Sequence, residues 1–178
     1  GETKVGKGCR LGPGAHLIDT RVGDGVLCRH SLVLGSVLED GANVGPYAHI
    51  RPGSKIGPSV KIGDFVEIKN SSIGQGSKVS HLSYVGDAEI GPDVNMGAGS
   101  IVVNYDGRKK HKTVIGKGAF IGCNSNLVAP INIGKGAFVA AGSTVTRDVP
   151  SDSLLISRPE QIVKKGLGKR FLKKKKEK

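Results

Sequence analysis

An aliphatic residue returns at almost every sixth position through most of this 178-residue chain. Val44, Ile50, Ile56, Ile62 and Ile68 are six apart, and so are Ile73, Val79 and Val85. Ile90, Met96 and Val102 follow, and then Ile115, Ile121, Leu127, Ile133, Val139 and Val145. A period of six matches neither the 3.6 of a helix nor the 2 of an alternating strand. It matches a parallel β-helix, in which each hexad is a short strand plus a tight corner and three hexads close a triangular turn of about 18 residues. The aliphatic side chains then point inward and stack on the turns above and below. Gly, 28 of the residues, often follows the aliphatic position, as in "IGPSVK" and "IGDFVE", where a corner needs a freer backbone. Two five-residue steps, Ile68 to Ile73 and Val85 to Ile90, reset the phase, and Val5, Leu11, Leu17 and Val22 carry a looser version. The expected architecture is all-β: a solenoid over residues 1–150 of roughly eight turns, then an extension over 151–178.

The count fails at about 103–114, in "VNYDGRKKHKTVIG", where polar and basic side chains replace the aliphatic ones. A solenoid face is flat, so a cleft has to come from a loop or from a neighbouring chain. Function concentrates on loops held by rigid scaffolds. The interruption is therefore the first place to look for a site, the plain alternative being a solenoid with no active site.

The formal net charge is +12, but residues beyond 163 hold nine Lys or Arg against Glu177, so most of the excess lies in the tail. A nucleic-acid argument from charge is thus a statement about the tail. With no aromatic interleaved except Phe171, that tail reads as a solvated segment, the alternatives being an acidic partner or the phosphates of a coenzyme. Cys9, Cys28 and Cys123 fit neither a disulfide framework nor a paired metal motif and suit free thiols in a reducing cytoplasm. No apolar run approaches the roughly 20 residues of a membrane span. No signal-peptide pattern opens the chain. The start at Gly1, already inside a repeat, suggests a fragment or a processed chain.

His81, in "KVSHLSYVGDAEIG", lies two residues after the inward Val79 and so points off the core. Histidine is the side chain best placed to take a proton near neutral pH, although a surface histidine is more often incidental. Tyr84, Asn95 and the "NYDG" stretch from Asn104 follow within about one or two turns, close enough to converge on one groove. Arg51 and Lys69 are 18 apart and can stack on one edge, either as a phosphate clamp or as two solvated cations. His16, His30, His49, His81 and His111 show no spacing suited to a shared zinc, and no GxSxG, P-loop or GxGxxG context occurs.

The stretches "RPGSKIG", "VEIKNSSIGQGSKVSHLSYVGDAEIG", "NMGAGSIVVNYDGRKKHKTVIG", "FIGCNSNLVAP" and "VAAGSTVTRDVP" closely resemble the acetyltransferase domain of one family. That family is the bacterial bifunctional N-acetylglucosamine-1-phosphate uridylyltransferase/glucosamine-1-phosphate N-acetyltransferases, within the hexapeptide-repeat acyltransferases. The resemblance covers about residues 40 to 160 and implies a left-handed coil. It implies acetyl transfer from acetyl-CoA to the amino group of glucosamine-1-phosphate, on the route to UDP-N-acetylglucosamine and the cell wall, with no metal required. It further implies a cytoplasmic homotrimer with sites between chains, no membrane and no nucleic acid. The uridylyltransferase activity would be absent from these residues. Residue by residue, His81 falls on the general base and Asn104 on the amide that aligns it. Arg51, Lys69, Tyr84, Asn95, Tyr105 and Lys110 fall on sugar-phosphate contacts. Ala98, Cys123, Ala141 and Arg158 fall on coenzyme A contacts, although many relatives carry Ser at the position of Cys123. The rivals are another hexapeptide acyltransferase with a different acceptor, and a non-catalytic β-helix scaffold.

Overall fold

Residues 1–171 are described by the computed structural model; the tail from Leu172 to Lys178, with the expectation of a solvated lysine segment, lies outside them. Strands of two to four residues alternate with corners along the whole body. They form three parallel sheets of eight, nine and eight strands, visited in rotation. Sheet I begins at Lys4–Val5, sheet II at Arg10–Leu11 and sheet III at His16–Ile18. The result is a left-handed parallel β-helix of about nine turns. Sheet II ends at Leu154–Leu155, paired with Phe138–Val139, and a single helical turn, Gly168–Phe171, closes the described chain.

Turn length follows the hexad count. Val37 pairs with Lys55, 18 positions on, whereas Lys55 pairs with Ser72, 17 on, because that turn contains the five-residue step from Ile68 to Ile73. The aliphatic hexad positions fill the coil: Val44, Ile50, Ile56, Ile62 and Ile68 have no solvent exposure. Val5 and Leu11, in the first turn with a neighbour on one side only, are about half exposed. A second inward row, two residues before the aliphatic one, is small and often Ser: Ser54, Ser71, Ser77, Ser83, Ser100, Ser125 and Ser143 are buried. A buried hydroxyl is costly unless bonded. Ser77 satisfies this by donating to Gly91 O (2.8 Å) while accepting from Val94 N (2.9 Å), which ties one turn to the next.

The corner from sheet II to sheet III requires a left-handed backbone at each level. Gly14, Gly99, Gly142 and Asn124 supply it at four levels, but His30, Tyr47, Phe65 and Leu82 hold φ of 43 to 58° at four successive turns between. Bulky residues rarely adopt this region. Here they stack outside the coil, with Tyr47 and Phe65 rings 5.5 Å apart and nearly parallel.

The interruption lengthens a single turn. Ser72 pairs with Glu89, 17 positions on, while Ala88 pairs with Thr113, 25 on, after which sheet I continues in register. The eight extra residues leave between sheets III and I and fold on themselves. Tyr105 and Lys110 form an antiparallel bridge, and Asp106 accepts from the backbone N–H of Arg108 and Lys109 at 2.8 Å. His111 lies 2.7 Å from the same carboxylate and, with those amides, holds it far below the ordinary carboxylate range. The loop is a clasped hairpin on its own solenoid, with Lys112 also paired to Glu89.

Candidate active site

Three columns of side chains meet near the middle of the coil. On the outer face of sheet III, next to the corner toward sheet I, Lys69 follows the pairing of Ile50 with Ile68 and lies beside Arg51. Lys110 of the hairpin comes against Lys69. The Lys110 amine, with Arg51 as a further cation, pulls Lys69 below the ordinary lysine value, since crowded like charges favour the neutral form. Arg51 Nη1 donates to Glu67 Oε1 at 2.7 Å. Three cations against two carboxylates, Glu67 paired with Arg51 and Asp87 held by Asn70 and Asn104, leave a net positive face suited to an anion. Arg51 and Lys69 thus stand together with Lys110.

Tyr84 and Asn104 converge on the next turn. Gly86 pairs with Lys69, and a Cβ added at Gly86 would collide with the Tyr84 hydroxyl and crowd the Asn104 amide. Asn104 is buried and donates to Asp87 Oδ2 at 2.5 Å, while Asn70 donates to Asp87 Oδ1 at 2.6 Å. Asn70, Asp87 and Asn104 are 17 apart, one turn each, an interval that the sequence carries. This ladder fixes the point where the hairpin leaves the coil. A cavity of about 450 Å³ on the sheet I side of this corner is lined by Lys55, Asn70, Asp87, Glu89, Lys110 and Lys112 among others.

His81 ends a sheet II strand, Lys78–His81, at the corner into the other edge of sheet III, with 57% of its side chain exposed. Its Nδ1 lies 2.5 Å from Asp64 Oδ1 on the preceding turn. That hydrogen bond holds the Asp64 carboxyl below the ordinary carboxylate value, so Asp64 stays ionised near neutral pH. Asp64 is absent from the residues read from sequence. Its signal is the interval of 17 from His81, one turn of this coil, which becomes visible only once the turn length is known to be 17 here.

From His81 a third column runs down the same corner toward the C-terminus. Gly99 N donates to His81 O (3.2 Å), Asn124 N to Ala98 O (2.8 Å) and Gly142 N to Cys123 O (2.8 Å). Arg158 Nη1 then donates to Ala141 O at 2.7 Å. Ala98, Cys123, Ala141 and Arg158, scattered over some sixty residues, therefore form one continuous ladder of small side chains ending in a guanidinium. Two of the named residues stand apart. Asn95 lies on sheet II, paired between Lys78 and Phe120, on a different face from Tyr84, Arg51 and Lys69. Tyr105 is exposed on the hairpin, its hydroxyl donating to Gly107 O. Among the described residues no group of three His, Cys, Asp or Glu is placed to hold a metal. Cys9, Cys28 and Cys123 are free thiols, Cys28 pushed up to about 11 by burial.

Residues 35–70 and 112–147 match the family described as bacterial transferase hexapeptide (six repeats). The chain is 55% identical over 166 residues to the bifunctional protein GlmU of Thermoanaerobacter pseudethanolicus, a match covering 93% of this chain and 36% of that protein. It is 53% identical over 164 residues to the GlmU of Heliobacterium modesticaldum, covering 92% and 36%. The chain thus spans about a third of the length of the curated relatives it matches. Among solved structures it is similar to a mutant of perosamine N-acetyltransferase from Caulobacter crescentus in complex with CoA and GDP-perosamine. That likeness has a TM-score of 0.55 at 25% identity, over 62% of this chain and 52% of the other. Arabidopsis UDP-N-acetylglucosamine acyltransferase, 18% identical with a TM-score of 0.57 over 85% and 60%, shares the fold.

Proposed function

We propose that this chain transfers the acetyl group of acetyl-CoA to the amino group of glucosamine-1-phosphate, giving N-acetylglucosamine-1-phosphate for UDP-N-acetylglucosamine synthesis. The observation that carries the reading is the order of the three columns. A cation cluster stands at one edge of sheet III and an imidazole leading into a ladder of small residues at the other, beside relatives that are more than half identical over nearly the whole chain.

Arg51, Lys69 and Lys110 would hold the sugar phosphate, with Tyr84 and Asn104 on the sugar side of that cluster. Ala98, Cys123 and Ala141 would run under the coenzyme A arm, exposed backbone edges meeting its amides, and Arg158 would meet a phosphate. The neutral His81 takes the proton from the acceptor amine as its nitrogen attacks the thioester carbonyl. The new C–N bond forms as the C–S bond breaks, and the coenzyme leaves as a thiolate that is then protonated. Holding both substrates along one groove supplies much of the rate. A general base contributes typically about 10²- to 10⁴-fold.

We place the working state as a homotrimer with sites between chains, in the cytoplasm. Two observations support self-association. Asn95 faces away from the cluster it would serve, so a second chain could present it. Tyr47, Phe65 and Leu82 on one corner, and Phe120 stacked on Phe138 on sheet II, are exposed apolar groups of the kind that assembly covers. Among the described residues no helix is long and apolar enough to cross a membrane, and free thiols suit a reducing compartment.

The deciding experiment is thiol release from acetyl-CoA with glucosamine-1-phosphate and with glucosamine as acceptors. Release that depends on the phosphorylated sugar is the expected result; no release with either from a folded trimer would shift the weight to the scaffold reading. Lys69→Ala tests the clamp. Losing a charged partner costs about 1.5–3 kcal/mol, so kcat/KM for glucosamine-1-phosphate should fall roughly 10- to 100-fold. The residual rate with plain glucosamine should hardly change. An equal loss with both acceptors would remove Lys69 from phosphate binding.

A further inference from the structure

We infer that Asp64 is a positioning residue that fixes the tautomer and orientation of His81. The inference rests on the reading of His81 as general base. A carboxylate can only accept a hydrogen bond, so the 2.5 Å contact with Nδ1 puts the ring proton on Nδ1. The lone pair that can take a proton from an amine is then on Nε2. A neutral imidazole without such a partner divides between the two tautomers, and only one of them is a base at the required atom.

The backbone is arranged around this pair. Most strands of sheet II have two residues, but Lys61–Asp64 and Lys78–His81 have four and remain paired out to Asp64 opposite His81. The extra pairing carries the sheet up to the corner at this level alone among its described strands. It depends on a close approach that only glycine allows, since a Cβ on Gly63 would collide with the Ser80 carbonyl. The two corner backbones are then locked together. Leu82 N donates to Asp64 O at 3.0 Å, and Ser83 Oγ donates to His81 O at 2.8 Å. Phe65 and Leu82, directly after the pair, both keep left-handed backbones (φ 55 and 50°), so the two chains from which Asp64 and His81 project turn the corner in register. The left-handed corner and its hydrogen bonds recur along the coil, whereas the pairing extended out to Asp64 and His81 is found at this level alone among the described strands of sheet II.

Two variants and two readouts test the inference on the full chain. In Asp64→Ala, kcat should fall by about 10- to 100-fold, as when the carboxylate partner of a metal-bound imidazole is removed, with the KM values for both substrates unchanged. Nitrogen NMR of the His81 ring above its titration should show a single Nδ1–H tautomer in the wild type and a mixture in Asp64→Ala. Asp64→Glu, which restores a carboxylate, should recover part of both signals. Thermal unfolding matching the wild type excludes a folding defect as the cause. Unchanged kcat in Asp64→Ala would overturn the inference, and so would a loss of kcat with the tautomer unaltered. Full turnover in His81→Ala would instead overturn the proposed base, which separates the two failures.

Discussion

Replacing His81 by Ala should lower kcat by roughly 10²- to 10⁴-fold, the range a positioned general base contributes. The KM for glucosamine-1-phosphate should change little, because the phosphate cluster of Arg51, Lys69 and Lys110 lies on the other edge of sheet III. The fold should be indifferent. The His81 side chain is more than half exposed and its hydrogen bond is to Asp64, itself at the surface, whereas the neighbouring core residues Val79 and Val85 are untouched. Steady-state thiol release and thermal unfolding on the same preparation check both halves. A variant with unaltered kcat would remove His81 from the chemistry and leave the cation cluster as a binding site in search of a reaction.

Excising Tyr105 to Lys112 should abolish most transfer while sparing the solenoid. The lengthened turn carries eight residues more than its neighbours, so their removal brings the span from Ala88 to Thr113 back to 17 and the coil closes as elsewhere. Surface insertions cost or gain little by chain entropy alone. The core beneath the loop, Val102 and Ile115, remains complete, so the unfolding temperature should stay close to that of the parent. Activity has no such reserve. The excision takes away Lys110, the cation that crowds Lys69, and Tyr105, and it removes the His111 N–H that bonds Asn104 O. One lost charged contact at about 1.5–3 kcal/mol, plus displacement of the acceptor from its attack geometry, amounts to roughly 10²- to 10⁴-fold in kcat/KM. Calorimetry with the thiol assay would decide, and full activity in the shortened chain would show that the hairpin is ornament.

The coil was legible because its cause is local and repeated. Each hexad puts one aliphatic residue inward, so Val44 through Val145 announce the core without knowledge of any long-range contact. Even the turn of 17 is present in the sequence as the five-residue step at Ile73, although a count of 18 was the natural first reading. The hairpin was legible as a failure of that count. Arg51 and Lys69 could be paired from spacing, but not distinguished from solvated charges, because the third cation, Lys110, reaches them by a loop whose path no periodicity dictates. Asp64 is inconspicuous in the sequence for a related reason. It is one acid among 15 acidic residues, and nothing in "IGDFVE" sets it apart until the register brings it opposite His81.

The sequence by itself therefore determined the β-helix, its core and the place where it is interrupted, since burial of evenly spaced apolar groups admits one economical solution. The tertiary structure alone decided what stands beside what on the outside. Surface side chains are not constrained by the period, and a difference of one residue in turn length moves every outward group relative to the next turn. The Asp64–His81 pair, the meeting of Tyr84 and Asn104 over Gly86, and the ladder from His81 to Arg158 exist only because those turn lengths, and the close approach permitted at Gly63, bring distant residues into register.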